Sequence, residues 1–194
     1  MIIAIDPGPT ESAYVVMDSP KSVIFGKRAN EDMLAIIDYW KKEEWLCEKL
    51  IIEMIASQGM AVGQTTFETC VWIGRFIERW GRACELIYRH EEKTILCRSA
   101  RATDSNIRQR LIDLFGGEVT AIGCKKCPSC KGKGVVSRQK TRCEECKGTG
   151  WKYPPGVLWK MSGDEWAALA VAVTYLLKTG KLVVDQTRLI KPSV

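Results

Sequence analysis

The sequence predicts an α/β fold in which a mixed β-sheet is flanked by helices and carries a small inserted lobe. Three short β-branched runs come first, and helical and strand patterns then alternate along the chain. A cysteine-rich stretch with neither periodicity interrupts this alternation before a final helix. With 194 residues, 46% of them hydrophobic, the chain is long enough for one core and too short for two full domains.

The first half of the chain is predicted to supply most of the sheet. Apolar runs separated by Pro-Gly-Pro and Ser-Pro predict three consecutive antiparallel strands. A helical repeat follows, for which Asn30 is the candidate cap, and then a buried strand and a strongly amphipathic second helix. The predicted elements are strands at 2–6, 11–17, 21–26 and 49–55 and helices at 30–45 and 66–82.

The second half is predicted to add one strand and two helices. A fifth strand is predicted over 84–89 and a third helix over 105–115, with Asp104 or Ser105 as its cap. The last helix is predicted to begin at Ser162, because the sequence there has the S-x-x-E spacing of a capping box before AALAVAVTYLL.

Targeting signals are not expected in this sequence. The first apolar run has no basic segment ahead of it, and the longest nearly apolar stretch, 167–177, is too short to span a bilayer. We therefore expect no secretory signal, no membrane segment and a cytoplasmic location. In that reducing compartment, nine cysteines are metal ligands more often than disulfide partners.

Three carboxylates stand at the ends of apolar elements. Asp6 ends the first predicted strand, Glu53 interrupts the buried run KLIIEMI, and Asp164 lies in the first turn of the last helix. Oxygen ligands of this kind hold magnesium, which activates water and stabilises a phosphodiester leaving group. Asp6 is also typical of a turn, and Asp164 of a residue that complements the helix dipole. An unpartnered Glu53 in a buried strand would be costly.

Four segments carry a family resemblance: IIAIDPGPTESAYVV, LIIEMIASQGMAVG, LCRSARATDSNIRQRLIDLFGG and SGDEWAALAVAVTY. In this order and spacing they resemble the RuvC-type nucleases of the RNase H-like superfamily, and most of all a phage-associated branch of crossover-junction endonucleases. The resemblance implies an RNase H-like nuclease domain over 1–123 and 153–194. It also implies a metal-dependent endonuclease that cleaves phosphodiester bonds in branched DNA such as Holliday junctions.

The resemblance assigns Asp6, Glu53 and Asp164 as catalytic residues and as ligands of magnesium or manganese. Two ions are implied, with Asp6 bridging them and the other two carboxylates holding one each. The family often has a second acidic residue one turn after Asp164, where this chain has Ala167; Glu165 or water would complete the coordination. A homodimer acting on a four-way junction is also implied, in the cytoplasm of a bacterial host if the protein is phage-encoded.

The inserted lobe, 124–152, has the signature of a zinc site. Two copies of C-x-x-C-x-G-x-G contribute the cysteines Cys127, Cys130, Cys143 and Cys146. Four thiolates in two such pairs are what a closed tetrahedral structural zinc site needs, and Cys124 is a rival ligand. The copies resemble the cysteine-rich repeats of DnaJ-type chaperones, in which paired repeats share a zinc; this resemblance concerns the zinc fold only.

The positive charge of the protein is concentrated in this lobe. The chain has a net charge of +6, of which residues 121–152 contribute +7 and the remainder −1. A zinc ion on four thiolates would leave the lobe at about +5, so DNA is the predicted partner. A solvated charged hairpin is the alternative. The candidate DNA-binding residues are Lys125, Lys126, Lys131, Lys133, Arg138, Lys140, Arg142 and Lys147.

Two other functions share some of these features. An ATP-binding protein of the actin and sugar-kinase group also has a first-strand aspartate in its site. That group needs two such domains, and the residues outside the lobe suffice for one. A catalytically weak or inactive branched-DNA-binding protein is the second alternative, and Ala167 favours it.

Overall fold

The computed structural model describes residues 1–42, 47–56, 62–136, 141–185 and 190–192, with the backbone alone for Cys124 and for 190–192. The strands are β1 (Ile2–Asp6), β2 (Glu11–Ser19), β3 (Ser22–Ala29), β4 (Lys49–Met54), β5 (Cys84–Tyr88), β6 (Gly123–Lys126), β7 (Val135–Val136), β8 (Thr141–Arg142), β9 (Trp151–Pro155), β10 (Leu182–Val184) and β11 (Ile190–Pro192). The helices are α1 (Asn30–Lys42), α2 (Gln64–Trp80), α3 (Arg89–Cys97), α4 (Asp104–Leu114), α5 (Gly117–Ala121) and α6 (Glu165–Lys178).

A mixed sheet forms the centre of the molecule. Among the described residues, five strands form it in the order β3-β2-β1-β4-β5. The first three strands are antiparallel, and β1, β4 and β5 run parallel to one another. Helices cover both faces, so β1 reads as an unbroken apolar run rather than an alternating one. The predicted α/β class with a mixed, helix-flanked sheet is therefore confirmed.

The two faces of the sheet have separate hydrophobic cores. Successive side chains of a strand point to opposite faces, so Ile2 and Ala4 pack on one side and Ile3 and Ile5 on the other. The first side is covered by α6 together with α3 and α4, and the second by α1 and α2. α6 is buried along most of its length, and its many alanines let it lie close against β1 and β2.

Two short helices, α3 and α5, were not predicted from the sequence. α3 begins directly after β5, and no glycine, proline or asparagine marks the boundary. The helix is instead started by Glu91, whose Oε1 accepts a hydrogen bond from the backbone N–H of Tyr88 at 3.1 Å. The predicted fifth strand therefore ends at Tyr88, one residue early.

Several predicted helix caps were wrong. α4 is capped by Thr103, not by Asp104 or Ser105, because Thr103 Oγ1 accepts a hydrogen bond from the Asn106 N–H and the Thr103 N–H donates to Asn106 Oδ1. Asn30 does not cap α1; its side chain is bonded elsewhere. α1 is described as far as Lys42, and the rest of the predicted 30–45 helix lies outside the described residues.

The cysteine-rich stretch forms small sheets of its own. β6 pairs with β9, and β7 pairs with β8, apart from the central sheet. The β6–β9 ribbon is held at its base by Gly156, whose N–H donates to the Ile122 carbonyl at 2.9 Å. A Cβ at Gly156 would lie 2.3 Å from the Ala121 carbonyl oxygen, so a side chain there would displace the ribbon. Within the described residues, no helix combines the length and apolarity needed to cross a membrane.

Candidate functional site

Asp6 and Glu53 lie side by side at one edge of the central sheet. β1 and β4 are parallel, and their register pairs Ile5 with Ile52, so the next residue of each strand is the carboxylate. The two carboxyl groups interact directly, because the charge of Glu53 raises the pKa of Asp6. The Glu53 side chain is only 16% exposed. The two carboxylates predicted from distant parts of the sequence are therefore neighbours.

Asp164 approaches the same edge from α6. It is the N-cap residue of that helix, and its negative charge acts on Asp6. The Asp164 carboxylate is held by Lys27 of β3, with an Nζ–Oδ2 distance of 3.0 Å, and Lys27 also binds Glu11 at 3.1 Å. The three carboxylates share one region, but their oxygens do not all lie within 4.8 Å of one another.

The electrostatics of this region favour a cation. Burial raises the pKa of Asp6, and the charges of Glu53 and Asp164 raise it further, to about 8. Burial also raises the pKa of Glu53, while the charge of Arg89 opposes that rise. Half-buried carboxylates that repel one another are oxygen donors of the kind that magnesium and manganese prefer, so this donor set fits such an ion.

The turn after Asp6 is fixed by two buried polar residues that sequence reasoning did not assign to the site. Ser12 Oγ donates to Asn30 Oδ1 at 2.6 Å, and Asn30 Nδ2 donates to the Gly8 carbonyl at 2.9 Å. A Cβ at Gly8 would lie 2.4 Å from the Glu11 carbonyl oxygen, so the turn requires glycine. These bonds hold the wall of the cleft beside Asp6. The Asn30 signal was visible in the sequence but was attributed to a helix cap.

Three adjoining clefts surround the carboxylates. One of 330 Å³ is lined by Asp6, the turn that follows it, Lys27 and Asp164. A second of 530 Å³ lies on the Glu53 side and includes Arg89, His90 and Lys93. The third, of 300 Å³, includes Arg89, Asp104, Arg108, Asp164 and Ala167. The clefts adjoin one another, because Arg89 and Asp164 each line two of them. Together they are called the groove, and both acidic and basic side chains line it.

Arg89 is the main residue of this region that sequence reasoning missed. Its Nη1 binds Glu92 at 2.5 Å and lies 4.0 Å from Glu53, and its Nη2 binds Asp104 at 2.6 Å. The Arg89–Glu92 spacing of three residues is typical of a helical ion pair and was detectable in the sequence. It was overlooked because α3 was not predicted.

Two positions of the closing helix, Glu165 and Ala167, bear on whether it supplies a second carboxylate. Glu165 is turned away from the other carboxylates, because its Oε2 accepts hydrogen bonds from the Ser162 N–H at 2.8 Å and from its hydroxyl at 3.3 Å. Ala167 lines the same cleft as Asp164, as expected one helical turn later. The helix thus presents one carboxylate, Asp164, to the groove.

We expect magnesium to stabilise the zinc-loaded protein more at about pH 9 than at about pH 6. The pKa of Asp6 rises on folding from 3.8 to about 8, so without magnesium the free energy of unfolding decreases as the pH rises between these values. A magnesium ion that takes the place of the proton on Asp6 offsets this decrease in the free energy of unfolding. Calorimetry of the wild type and of Asp6→Asn would check it: the variant should lack the magnesium effect and show a weaker pH dependence, because the raised pKa values of Glu53 and Glu92 remain. An equal magnesium effect at both pH values would contradict this assignment.

The four cysteines predicted to hold zinc lie together. The Sγ atoms of Cys127 and Cys143 are 3.8 Å apart and those of Cys130 and Cys146 are 3.7 Å apart, and all four residues are buried. A tetrahedral zinc ion with Zn–S bonds of about 2.3 Å spaces its sulfurs about 3.8 Å apart. Within the described part of the chain this is the only group of three or more metal-binding side chains with donor atoms so close. The geometry therefore fits one zinc ion.

Backbone amides support the sulfurs. The N–H groups of Gly134 and Gly150 donate to Cys130 and Cys146 Sγ, each at 3.2 Å. Burial opposes ionisation of Cys146, but the Gly150 N–H and neighbouring thiols outweigh it and lower its pKa to about 7. Gly134 has φ +74°, and a Cβ there would lie 2.4 Å from the Gly148 carbonyl oxygen. The last glycine of each C-x-x-C-x-G-x-G copy therefore stabilises the cysteine cluster directly.

The predicted DNA-binding residues of the lobe fall into three groups. Arg142 has a structural role, because its Nε donates to the Lys147 carbonyl at 2.8 Å. Arg138 and Lys140 lie outside the described residues, as does the side chain of Cys124. The exposed lysines are Lys125, Lys126, Lys131, Lys133 and Lys147.

The architecture and the topology define an RNase H-like fold. The structure of Thermus thermophilus RuvC is similar, with a TM-score of 0.50, 11% sequence identity and coverage of 99% of each chain. The structure of T. thermophilus RuvC in complex with a Holliday junction substrate has a TM-score of 0.48 and 11% identity, and covers 99% of this chain and 98% of that chain. No protein-family model matches the sequence, and no curated protein matches it. The fold is thus of the RuvC type.

Proposed function

We propose that the protein is a metal-dependent endonuclease that cleaves phosphodiester bonds in branched DNA such as Holliday junctions. The observation that carries the proposal is that Asp6, Glu53 and Asp164 share one region at an edge of a RuvC-type sheet, in a groove lined by acidic and basic side chains. Lys93 and Arg108 in the groove suit a phosphate backbone, and the carboxylates suit a divalent ion. A DNA substrate also suits the predicted cytoplasmic location.

Several charged or polar residues of the groove would take part in this chemistry. Magnesium or manganese, when bound, would supply an activated water and stabilise the departing oxygen. Asp6 would be its central ligand, because it lies between Glu53 and Asp164. His90 and Lys93 would hold the phosphates next to the cleaved bond, since both line the cleft beside Glu53.

Cleavage of synthetic DNA would test the proposal. Four-way, Y-shaped and linear duplexes of equal length are incubated with zinc-loaded protein, with and without magnesium or manganese. We expect metal-dependent cuts in the branched substrates only. Junction binding without cleavage in either metal would support the alternative, a catalytically weak or inactive binding protein. The absence of a carboxylate at Ala167 and the Lys27–Asp164 ion pair are the features that favour this alternative.

We further propose that 124–152 is an inserted zinc-stabilised lobe that grips DNA. Its cysteines form a hydrophobic cluster separate from the two cores of the sheet, and the exposed lysines lie within three residues of those cysteines in the sequence. The zinc would have a structural role, because four cysteines leave no open position for a substrate.

Replacing lysines of the lobe should weaken DNA binding in a salt-dependent way. We expect Lys131→Gln/Lys133→Gln to lower junction affinity and to reduce the slope of log affinity against log salt by about 0.9 for each phosphate that the variant no longer binds. Fluorescence anisotropy over a range of salt concentrations measures both. The matched control is Lys21→Gln/Lys42→Gln, which removes the same charge outside the lobe. Equal slopes of log affinity against log salt for the two double variants would show that the lobe lysines do not bind DNA phosphates.

A homodimer is also proposed, because paired cuts across a four-way junction need two active sites. A surface for it lies on α2, where Phe67 is 62% exposed and Val71 is 63% exposed. Cys70 and Gly74 lie on the same exposed face. We expect a dimer by light scattering and a monomer for Phe67→Lys/Val71→Glu. A monomeric wild type would contradict the proposal.

A further inference from the structure

Arg89 is a positive charge built into the candidate site. Its guanidinium binds Glu92 and Asp104 through different nitrogens, at 2.5 and 2.6 Å, and lies 4.0 Å from Glu53. It also lines both the cleft beside Glu53 and the cleft that contains Asp164 and Ala167. Arg89 therefore faces Glu53 from within the protein, as Lys27 faces Asp164 on the other side of the site.

Glu92 fixes the position of this cation. In the described part of the chain it is the one charged residue that is buried, with 0% exposure. One of its oxygens binds Arg89, and the other accepts no hydrogen bond from the described residues. Movement of Arg89 out of the site would leave Glu92 buried without its partner, which is strongly unfavourable. The charge of Arg89 is therefore a permanent part of the groove.

The carboxylates around Arg89 leave few ligands for metal. Two ions in a nuclease centre lie about 3.5–4 Å apart and are held by a shared carboxylate and further separate ones. Asp104 is already bound to Arg89, and position 167 offers only a methyl group. Glu11 also lines the groove, but it is bound to Lys27, which holds Asp164 as well. Glu53 and Asp164 are the carboxylates whose charges act on Asp6, so these three are the candidate metal ligands.

We propose that Arg89 takes the place of a second metal ion, so that each chain binds one divalent ion in the groove, through Asp6, Glu53 and Asp164. This inference rests on the proposed function and departs from the two ions that the family resemblance implies. The guanidinium supplies the second positive charge near the carboxylates. A second divalent ion would lack a carboxylate ligand at position 167 and would be repelled by the fixed positive charge of Arg89.

Manganese binding to the full zinc-loaded chain, without DNA, tests the inference. Calorimetric titration gives the number of Mn²⁺ ions bound, and electron paramagnetic resonance detects magnetic coupling between two neighbouring ions. We expect one uncoupled Mn²⁺ per chain, lost in Asp6→Asn. A coupled pair of ions in the wild type would overturn the inference but leave the proposed function intact. Absence of any Mn²⁺ sensitive to Asp6→Asn would overturn both.

A double variant tests the role of Arg89 itself. Arg89→Met/Ala167→Asp removes the fixed charge and restores a carboxylate one turn from Asp164, so we expect two coupled Mn²⁺ ions per chain. The matched control is Arg108→Met/Ala167→Asp, because Arg108 lines the same cleft but stacks over Trp166, at 5.0 Å. The control should bind one ion. Circular dichroism confirms that both variants are folded.

The two double variants together decide the question. A second ion in the Arg89 variant alone supports the inference. A second ion in both variants would show that the missing carboxylate, not the arginine, limits binding, and would overturn the inference. One ion in a folded Arg89 variant would overturn it as well. If the Arg89 variant does not fold, Arg89→Lys/Ala167→Asp, which keeps the charge, should bind one ion; two coupled ions would count against the inference.

Discussion

Asp6→Asn, Glu53→Gln and Asp164→Asn are each expected to abolish magnesium-dependent cleavage of branched DNA. The loss should exceed about 100-fold, because even residues that only orient metal ligands contribute about 10–100-fold. Asp6 and Glu53 are neighbours at the sheet edge, and the charges of Glu53 and of Asp164 both act on Asp6. Rates under single-turnover conditions, with junction affinity measured separately, would distinguish lost chemistry from lost binding.

The matched control for these variants is Glu165→Gln. Glu165 is next to Asp164, but its carboxylate is bonded to Ser162, so we expect a small effect on cleavage. The three site variants should also remain folded, since neutralising mutually repelling carboxylates removes an unfavourable interaction. Near wild-type cleavage by any one of them would exclude that residue as a metal ligand.

Replacing Cys127 and Cys130 together by serine should release the zinc and unfold the lobe alone. Zinc bound to four cysteines contributes on the order of 10–16 kcal/mol to the folding of small zinc domains. The lobe has little other core, because its hydrophobic cluster consists of the four cysteines with Val136 packed against them. Metal analysis should show one zinc per chain in the wild type and none in the variant.

Hydrogen exchange would locate the unfolded part of that variant. We expect loss of protection in peptides from 124–152 and unchanged protection in the sheet. Cys70→Ser is the matched control, because Cys70 is exposed on α2 and belongs to no cluster. Cys124→Ser should keep its zinc. Zinc loss in Cys124→Ser would show that the ligand set differs from the one proposed, and loss of protection throughout the chain would show that the lobe is not independent.

The sequence allowed prediction of features that depend on local pattern. Glu53 was recognisable because a carboxylate inside an apolar strand needs a partner, and the cysteine pairs because knuckle spacing is fixed by the metal. Asp6 and Glu53 were predicted separately; their pairing follows from the parallel register of β1 and β4. The family resemblance supplied the assignment of all three carboxylates to one site.

Features that depend on long-range packing were not predictable. The bond from Lys27 to Asp164 joins β3 to α6, which are far apart in the chain. Asn30 has a tendency to cap a helix, but in the structure its side chain donates to the Gly8 carbonyl instead. α3 was missed because a nine-residue helix that follows a strand without a turn has a weak local pattern.

The deep burial of α6 has a consequence for synthesis of the protein. α6 packs against β1 and β2, which leave the ribosome long before it does. Until α6 emerges, one face of the sheet is uncovered and Asp164 is absent from the groove. A nascent chain therefore holds no complete set of carboxylates until α6 has emerged, and the proposed nuclease becomes competent only then. Ribosome-bound chains that stop before residue 164 should neither resist proteolysis in β1 nor bind Mn²⁺ in the groove.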